Sequence, residues 1–142
     1  MSTRCQILFE EIGENHSNDK KYCTKAQIYR HSDSYPSGVI PDLMRFYKWW
    51  QNEPMPRITP DPSYEAANFI YYMKLESYKK LLEDGNGRWI GWEKLGYGVG
   101  IPETIHGDED YLWMVVWDTD KYPNENLPRI YVADVDSSND RE

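Results

Sequence analysis

Cysteine is scarce in this chain. Among 142 residues only Cys5 and Cys23 occur, with no CxxC and no Cys/His spacing of a zinc site. That excludes a disulfide-dense scaffold and a structural zinc finger, and both thiols are expected to be reduced in a cytoplasmic protein. Positive charge is also short: 16 Lys and Arg stand against 24 Asp and Glu, a formal net charge of -8. A field of that sign repels nucleic-acid backbones, so a general DNA-binding role is not expected and any phosphate contact must come from local arginines. Long apolar runs are missing, and the opening Met-Ser-Thr-Arg-Cys lacks the basic region and apolar stretch of a signal peptide. Neither a membrane partner nor export is expected. What the chain has in quantity is aromatic surface, with 6 Trp, 12 Tyr and 3 Phe. Large amphipathic rings in a polar chain suit recognition of a flat or sugar-like ligand, or a subunit interface.

The length suits a single domain, 1–142, with a frayed tail from about residue 137. Arg4 to Glu10 alternates as a strand, with Cys5, Ile7 and Phe9 on one face. A return strand from Tyr22 to His31 places Ala26, Ile28 and Arg30 on one side and Gln27, Tyr29 and His31 on the other. Apolar residues then recur at Val39, Ile40, Leu43, Phe46, Tyr47 and Trp50, the steps of an amphipathic helix with Pro41 near its start. The stretch 53–62 is crowded with proline and reads as a stiff linker. Asp61 followed by Pro62 is a helix start, and Tyr64, Ala67, Tyr71, Leu75, Tyr78 and Leu82 run on from it close to a heptad seam. Gly85-Asn86-Gly87 stops that helix. No period is evident from Arg88 to Ile105. Tyr111 to Trp117 is a continuous apolar run of a strand in the middle of a sheet, and Arg129 to Val135 alternates as its antiparallel neighbour. The predicted class is α+β: an antiparallel sheet with two α-helices packed on one face.

Chemistry-bearing residues cluster at Tyr29-Arg30-His31-Ser32-Asp33-Ser34-Tyr35-Pro36-Ser37-Gly38, where a strand end meets a helix start. Such a junction gathers free backbone N–H groups, a guanidinium fork, an imidazole and a carboxylate, the parts of an anion or ribose site. The plain alternative is a loop in which Asp33 caps the turn. A second cluster, His106 with Asp108, Glu109 and Asp110, holds a metal only if ligands such as His31 and Asp33 join it; otherwise it is a solvated acidic turn. Arginines beside aromatics form a third set: Arg4, Arg30, Arg57, Arg88 and Arg129. Each either grips a phosphate or pairs with the surplus acids. No nucleophile elbow is present, and no cofactor or resident metal is expected.

The string Ile-Tyr-Arg-His-Ser-Asp-Ser-Tyr-Pro-Ser-Gly-Val-Ile-Pro-Asp-Leu-Met-Arg-Phe at Ile28 to Phe46 is similar to a pattern in small proteins of phages, prophages and archaea. The Thr-Arg-Cys opening, Ala66 to Phe69 and Gly96 to Val99 extend the likeness over most of the chain. The chain thereby resembles the Thoeris anti-defence sponge family of phages. The resemblance implies a protein that binds and sequesters cyclic ADP-ribose signals of host TIR-domain enzymes, without degrading them, in the cytoplasm of the infected cell. It also implies a homo-oligomer, dimer to hexamer, with cyclic oligonucleotides as further ligands at subunit interfaces. From local chemistry, Arg30, Arg57 and Arg129 are the expected phosphate contacts, Tyr35, Phe69 and Tyr97 the stacking faces, and Asp33 or Asn68 the ribose or base partners, with His31 beside them. Two alternatives stay open: a metal-dependent hydrolase using His31, Asp33, His106 and Asp108, and an acidic inhibitor that binds a host protein.

Overall fold

The computed structural model describes residues 3–12, 25–31, 34–52, 61–84, 96–100, 110–118 and 127–134. Within them lie five strands and two helices: β1 (Cys5–Ile12), β2 (Lys25–Arg30), α1 (Pro36–Asn52), α2 (Pro62–Asp84), β3 (Tyr97–Gly100), β4 (Tyr111–Asp118) and β5 (Arg129–Asp134). The strands form one sheet in the order β3-β2-β1-β4-β5. The α+β class holds, with the helices against the sheet. The sheet itself is mixed, where an antiparallel one was expected: β1 pairs antiparallel with β2 but parallel with β4, from Cys5↔Tyr111 to Ile12↔Asp118. Alternation settles which face a residue takes and says nothing of its neighbour's direction. A continuous apolar run such as Tyr111 to Trp117 is, moreover, the ordinary pattern of a parallel strand. The middle position belongs to β1, and β4 lies between it and the edge strand β5.

Register explains the core. Ile7 lies opposite both Ile28 and Trp113, and Phe9 opposite Val115, so these side chains rise from one face. On them sit Val39, Leu43, Phe46, Tyr47 and Trp50 of α1, spaced by three and four, and Ala66, Phe69 and Tyr72 of α2. Phe46 is the hub. Its ring meets Phe69 edge-on at 5.3 Å, Tyr47 at 4.8 Å and Trp50 at 5.2 Å, and Phe9 meets Phe69 from the sheet at 6.0 Å. Each such buried ring contributes on the order of 2 kcal/mol of hydrophobic stabilisation.

The start of α2 is built as its sequence suggests. Asp61 Oδ1 accepts from the Ser63 N–H at 2.9 Å and from the Ser63 hydroxyl at 2.8 Å, and Pro62 occupies the first helical position. The expected seam is turned around, however. Tyr64, Ala67, Tyr71 and Tyr78 face solvent, and the buried stripe is Glu65, Ala66, Phe69 and Tyr72. Both stripes are apolar enough to read as a core face, and the aromatic side chains of α1 select the one they can interlock with. Strand β3 lies inside the stretch without a period: four residues with two glycines are too short and too bare to show alternation. Gly85-Asn86-Gly87 and the stretch 53–60 lie outside the described residues. Among the described residues, no helix is long and apolar enough to cross a membrane.

Candidate functional site

Strand directions bring one end of β2 and the starts of β1, β3 and β4 to the same end of the sheet, since Cys5 lies opposite both Arg30 and Tyr111, and Arg30 opposite Tyr97. The start of α1 joins them there. The backbone at this end is densely tied. The His31 N–H donates to Gly96 O at 2.8 Å, the Ser34 N–H to Thr3 Oγ1 at 3.0 Å, and the Trp113 indole N–H to Ser34 O at 3.0 Å. Arg4 and Asp110 exchange bonds, Arg4 N–H to Asp110 Oδ2 at 3.0 Å and Asp110 N–H to Arg4 O at 2.7 Å. Tyr35 O accepts from the Gly38 and Val39 N–H groups and so opens the helix.

Arg30 is the centre of this end, in a way the sequence did not suggest. Its guanidinium is buried and bonds Asp42 Oδ2 at 2.7 Å, from the second turn of α1. Burial works against its charge, but Tyr97, Asp42 and the hydrogen bond to Asp42 outweigh it and raise its affinity for the proton. An arginine so engaged serves as a clamp between strand and helix, with Nη2 committed to Asp42. His31 is half-buried beside it, with Nδ1 3.1 Å from the Tyr29 hydroxyl. Tyr35 is exposed. Tyr97 is half-buried, its ring edge-on to Phe69 at 6.3 Å.

Of the other expected residues that the structure describes, Phe69, Asn68 and Arg129 add no open group to this end. Phe69 is fully buried among Phe9, Phe46 and Tyr97, so its ring has no face open to a ligand and its stacking role gives way to packing. Asn68 donates from Nδ2 to Tyr64 O one turn back at 2.8 Å. Arg129 is exposed on the edge strand β5, opposite Val116, at the far end of the sheet. Asp33, Arg57, Arg88, His106, Asp108 and Cys23 lie outside the described residues, whereas Cys5 is buried in the core. Among the described residues, no group of three or more His, Cys, Asp and Glu is gathered to hold a metal ion.

A second polar centre, absent from the sequence-based expectations, lies under the first turn of α2. Glu65 is fully buried, and its Oε1 accepts from the Tyr47 hydroxyl at 2.8 Å and from the Trp117 indole N–H. Burial pushes its carboxyl up to about 8; the two donors pull the other way, and Glu11 and Asp61 add to the rise. The same burial, with Glu65 beside it, carries the Tyr47 hydroxyl well above its ordinary range. Glu65 Oε2 and the Trp50 indole nitrogen are buried without a hydrogen-bond partner among the described residues. A carboxyl that keeps its proton near neutrality is chemically suited to general-acid work, but one sealed from solvent reaches no substrate. Its work is to satisfy two aromatic donors in the core. The signal in the sequence was an acid in phase with Phe69 and Tyr72 on the buried stripe. No protein-family model, no curated protein and no solved structure matches the chain.

Proposed function

We propose that this protein is a non-enzymatic sponge that takes up a cyclic ADP-ribose-type nucleotide and holds it intact in the cytoplasm of an infected cell. The reading rests on the resemblance described above and on one observation: the sheet end around the Arg30–Asp42 clamp presents His31 and Tyr35 beside a densely tied backbone. An imidazole and an exposed phenol ring on a rigid frame provide a stacking face and hydrogen-bonding groups at little entropic cost. Phosphate contacts then fall to Arg57 and Arg129. From His31 to Arg129 is three strand spacings across and about six residues along the sheet, about 24 Å, too far for one small cyclic nucleotide to reach both. The two residues serve the same ligand only if it is shared between copies, which agrees with a homo-oligomer whose pockets lie between subunits.

The test is retention. The protein is incubated with a cyclic ADP-ribose isomer, freed of unbound ligand, heat-denatured, and the released material analysed. Intact ligand is expected, and is expected to be lost from a His31→Ala, Tyr35→Ala double variant that stays folded. A cleaved product would make the protein a hydrolase; neither retention nor cleavage would favour the acidic inhibitor of a host protein.

A further inference from the structure

The two edges of the sheet are not alike. Strand β3 closes one edge with four residues, two of them glycine, and is half-buried except at Val99. So short an edge offers little to pair with. Strand β5 closes the other with six residues in unbroken register against β4, from Arg129↔Val116 to Asp134↔Tyr111. No bulge, proline or lysine interrupts it, and these are the devices that ordinarily blunt an edge. Tyr131 and Val132 point to opposite faces and are 52% and 46% exposed. Among the described residues, no hydrogen bond reaches 130–134 from beyond the β4 ladder. The outer N–H and C=O groups of the strand, on every second residue, are therefore open to pairing.

Charge says what pairs with it. Residues 103–142 hold eleven Asp and Glu against three Lys and Arg, whereas residues 1–102 hold thirteen of each sign. The whole surplus of -8 thus belongs to the part of the chain that builds β4 and β5. Among the described residues it includes Asp110 just before β4, Asp118 at the end of β4 and Asp134 at the end of β5. A second copy brings the same surplus to this edge and is repelled there, whereas a basic segment is drawn to it. The apolar middle of the strand, Ile130, Tyr131, Val132 and Ala133, sets the rest of the requirement. It fits an extended segment with apolar side chains in its middle and lysine or arginine at its ends.

We infer that β5 is a docking edge for an extended basic segment of another protein, which adds to the sheet as a further strand beside 130–134. Main-chain hydrogen bonds hold the segment, Tyr131 and Val132 meet its side chains on the two faces, and the acids at the strand ends select its charge. This surface lies outside the nucleotide reading, and either can fail without the other. The probe is a capped fluorescent peptide of alternating valine and threonine with lysines at both ends, titrated against the whole chain; its control has glutamates in place of the lysines. The lysine peptide is expected to bind about tenfold or more tighter than the control, by a margin that shrinks as salt is raised. Residue-resolved hydrogen exchange then locates it. The bound peptide is expected to slow exchange at alternate amides over 130–134, the outward ones, and Val132→Lys is expected to weaken binding about tenfold with an unchanged circular dichroism spectrum. No binding, equal binding of the two peptides, binding that slows no amide of β5, or indifference to Val132→Lys would overturn the proposal. So would outward amides of β5 that are already protected without peptide, since the edge would then be paired with something else.

Discussion

Helix α1 makes two contacts with acids, five residues apart along it, and the two obey different rules. Near its start, Asp42 meets the Arg30 guanidinium, and that charge survives burial because an opposite charge faces it. Five residues further on, Tyr47 donates to Glu65, which has two hydrogen-bond donors and no counter-charge, and there burial wins and the carboxyl is pushed up to about 8. Two neutral donors, one of them closely seated, do not replace one cation. The first contact ties β2 to α1 at the presented end of the sheet; the second ties α1, α2 and β4 together in the core. The rigid frame beneath His31 and Tyr35 thus depends on an ion pair, whereas the helix layer depends on a protonated acid.

The contrast breaks most sharply at Glu65. Glu65→Ala strands the Tyr47 hydroxyl and the Trp117 N–H and leaves a cavity, and is expected to cost about 4 kcal/mol in urea denaturation. Glu65→Gln keeps the acceptor, and its comparison with wild type depends on pH. The folded protein keeps the Glu65 proton where the unfolded chain has lost it, so stability falls as pH rises from the ordinary 4.5 to about 8, then levels off. The difference in urea midpoint is therefore expected to move in favour of Glu65→Gln between pH 5 and pH 8; an equal difference at both would mean that Glu65 is ionised when folded. Arg30→Met comes next. It leaves Asp42 without its main counter-charge and is expected to cost about 3 kcal/mol, most of it recovered in an Arg30→Met, Asp42→Leu double variant. No recovery would show that Arg30 is held by packing and not by its charge.

The sequence carried the frame more plainly than the site. Alternation from Cys5 to Phe9 and from Ala26 to Arg30 separated the two faces of the strands, and of the helix positions read from Val39 to Trp50 all but the exposed Ile40 lie on the buried side of α1. Asp61 and Pro62 marked the start of α2 because capping is local chemistry. The buried side of α2 was illegible, since tyrosines lie on both sides of it and only the rings of α1 decide between them. The ion pair of Arg30 was illegible for a related reason. A strand-end arginine looks like a ligand contact until Asp42, twelve positions on, is brought to 2.7 Å by a helix start whose orientation no local pattern states. Glu65 and Trp117 likewise meet across 52 positions.

The smallest effect sharpens the comparison further. Asp42 has a second cation, Arg45, one turn along α1 with Nη1 at 3.3 Å from Oδ1, but that side chain is 68% exposed. Water screens such a pair, and holding a long side chain in one rotamer offsets most of the attraction. Arg45→Ala alone is expected to change stability by less than about 0.5 kcal/mol, and raised salt should erase the difference. In an Arg30→Met background the balance changes: Arg45 is then the nearest remaining counter-charge to a mostly buried carboxylate, so its loss should cost more than in wild type. A double-mutant cycle in urea measures that coupling. Strict additivity would mean that Asp42 draws on solvent instead of Arg45 once Arg30 is gone. A loss from Arg45→Ala alone as large as that from Arg30→Met would mean that the exposed arginine, and not the buried one, holds α1 to the sheet.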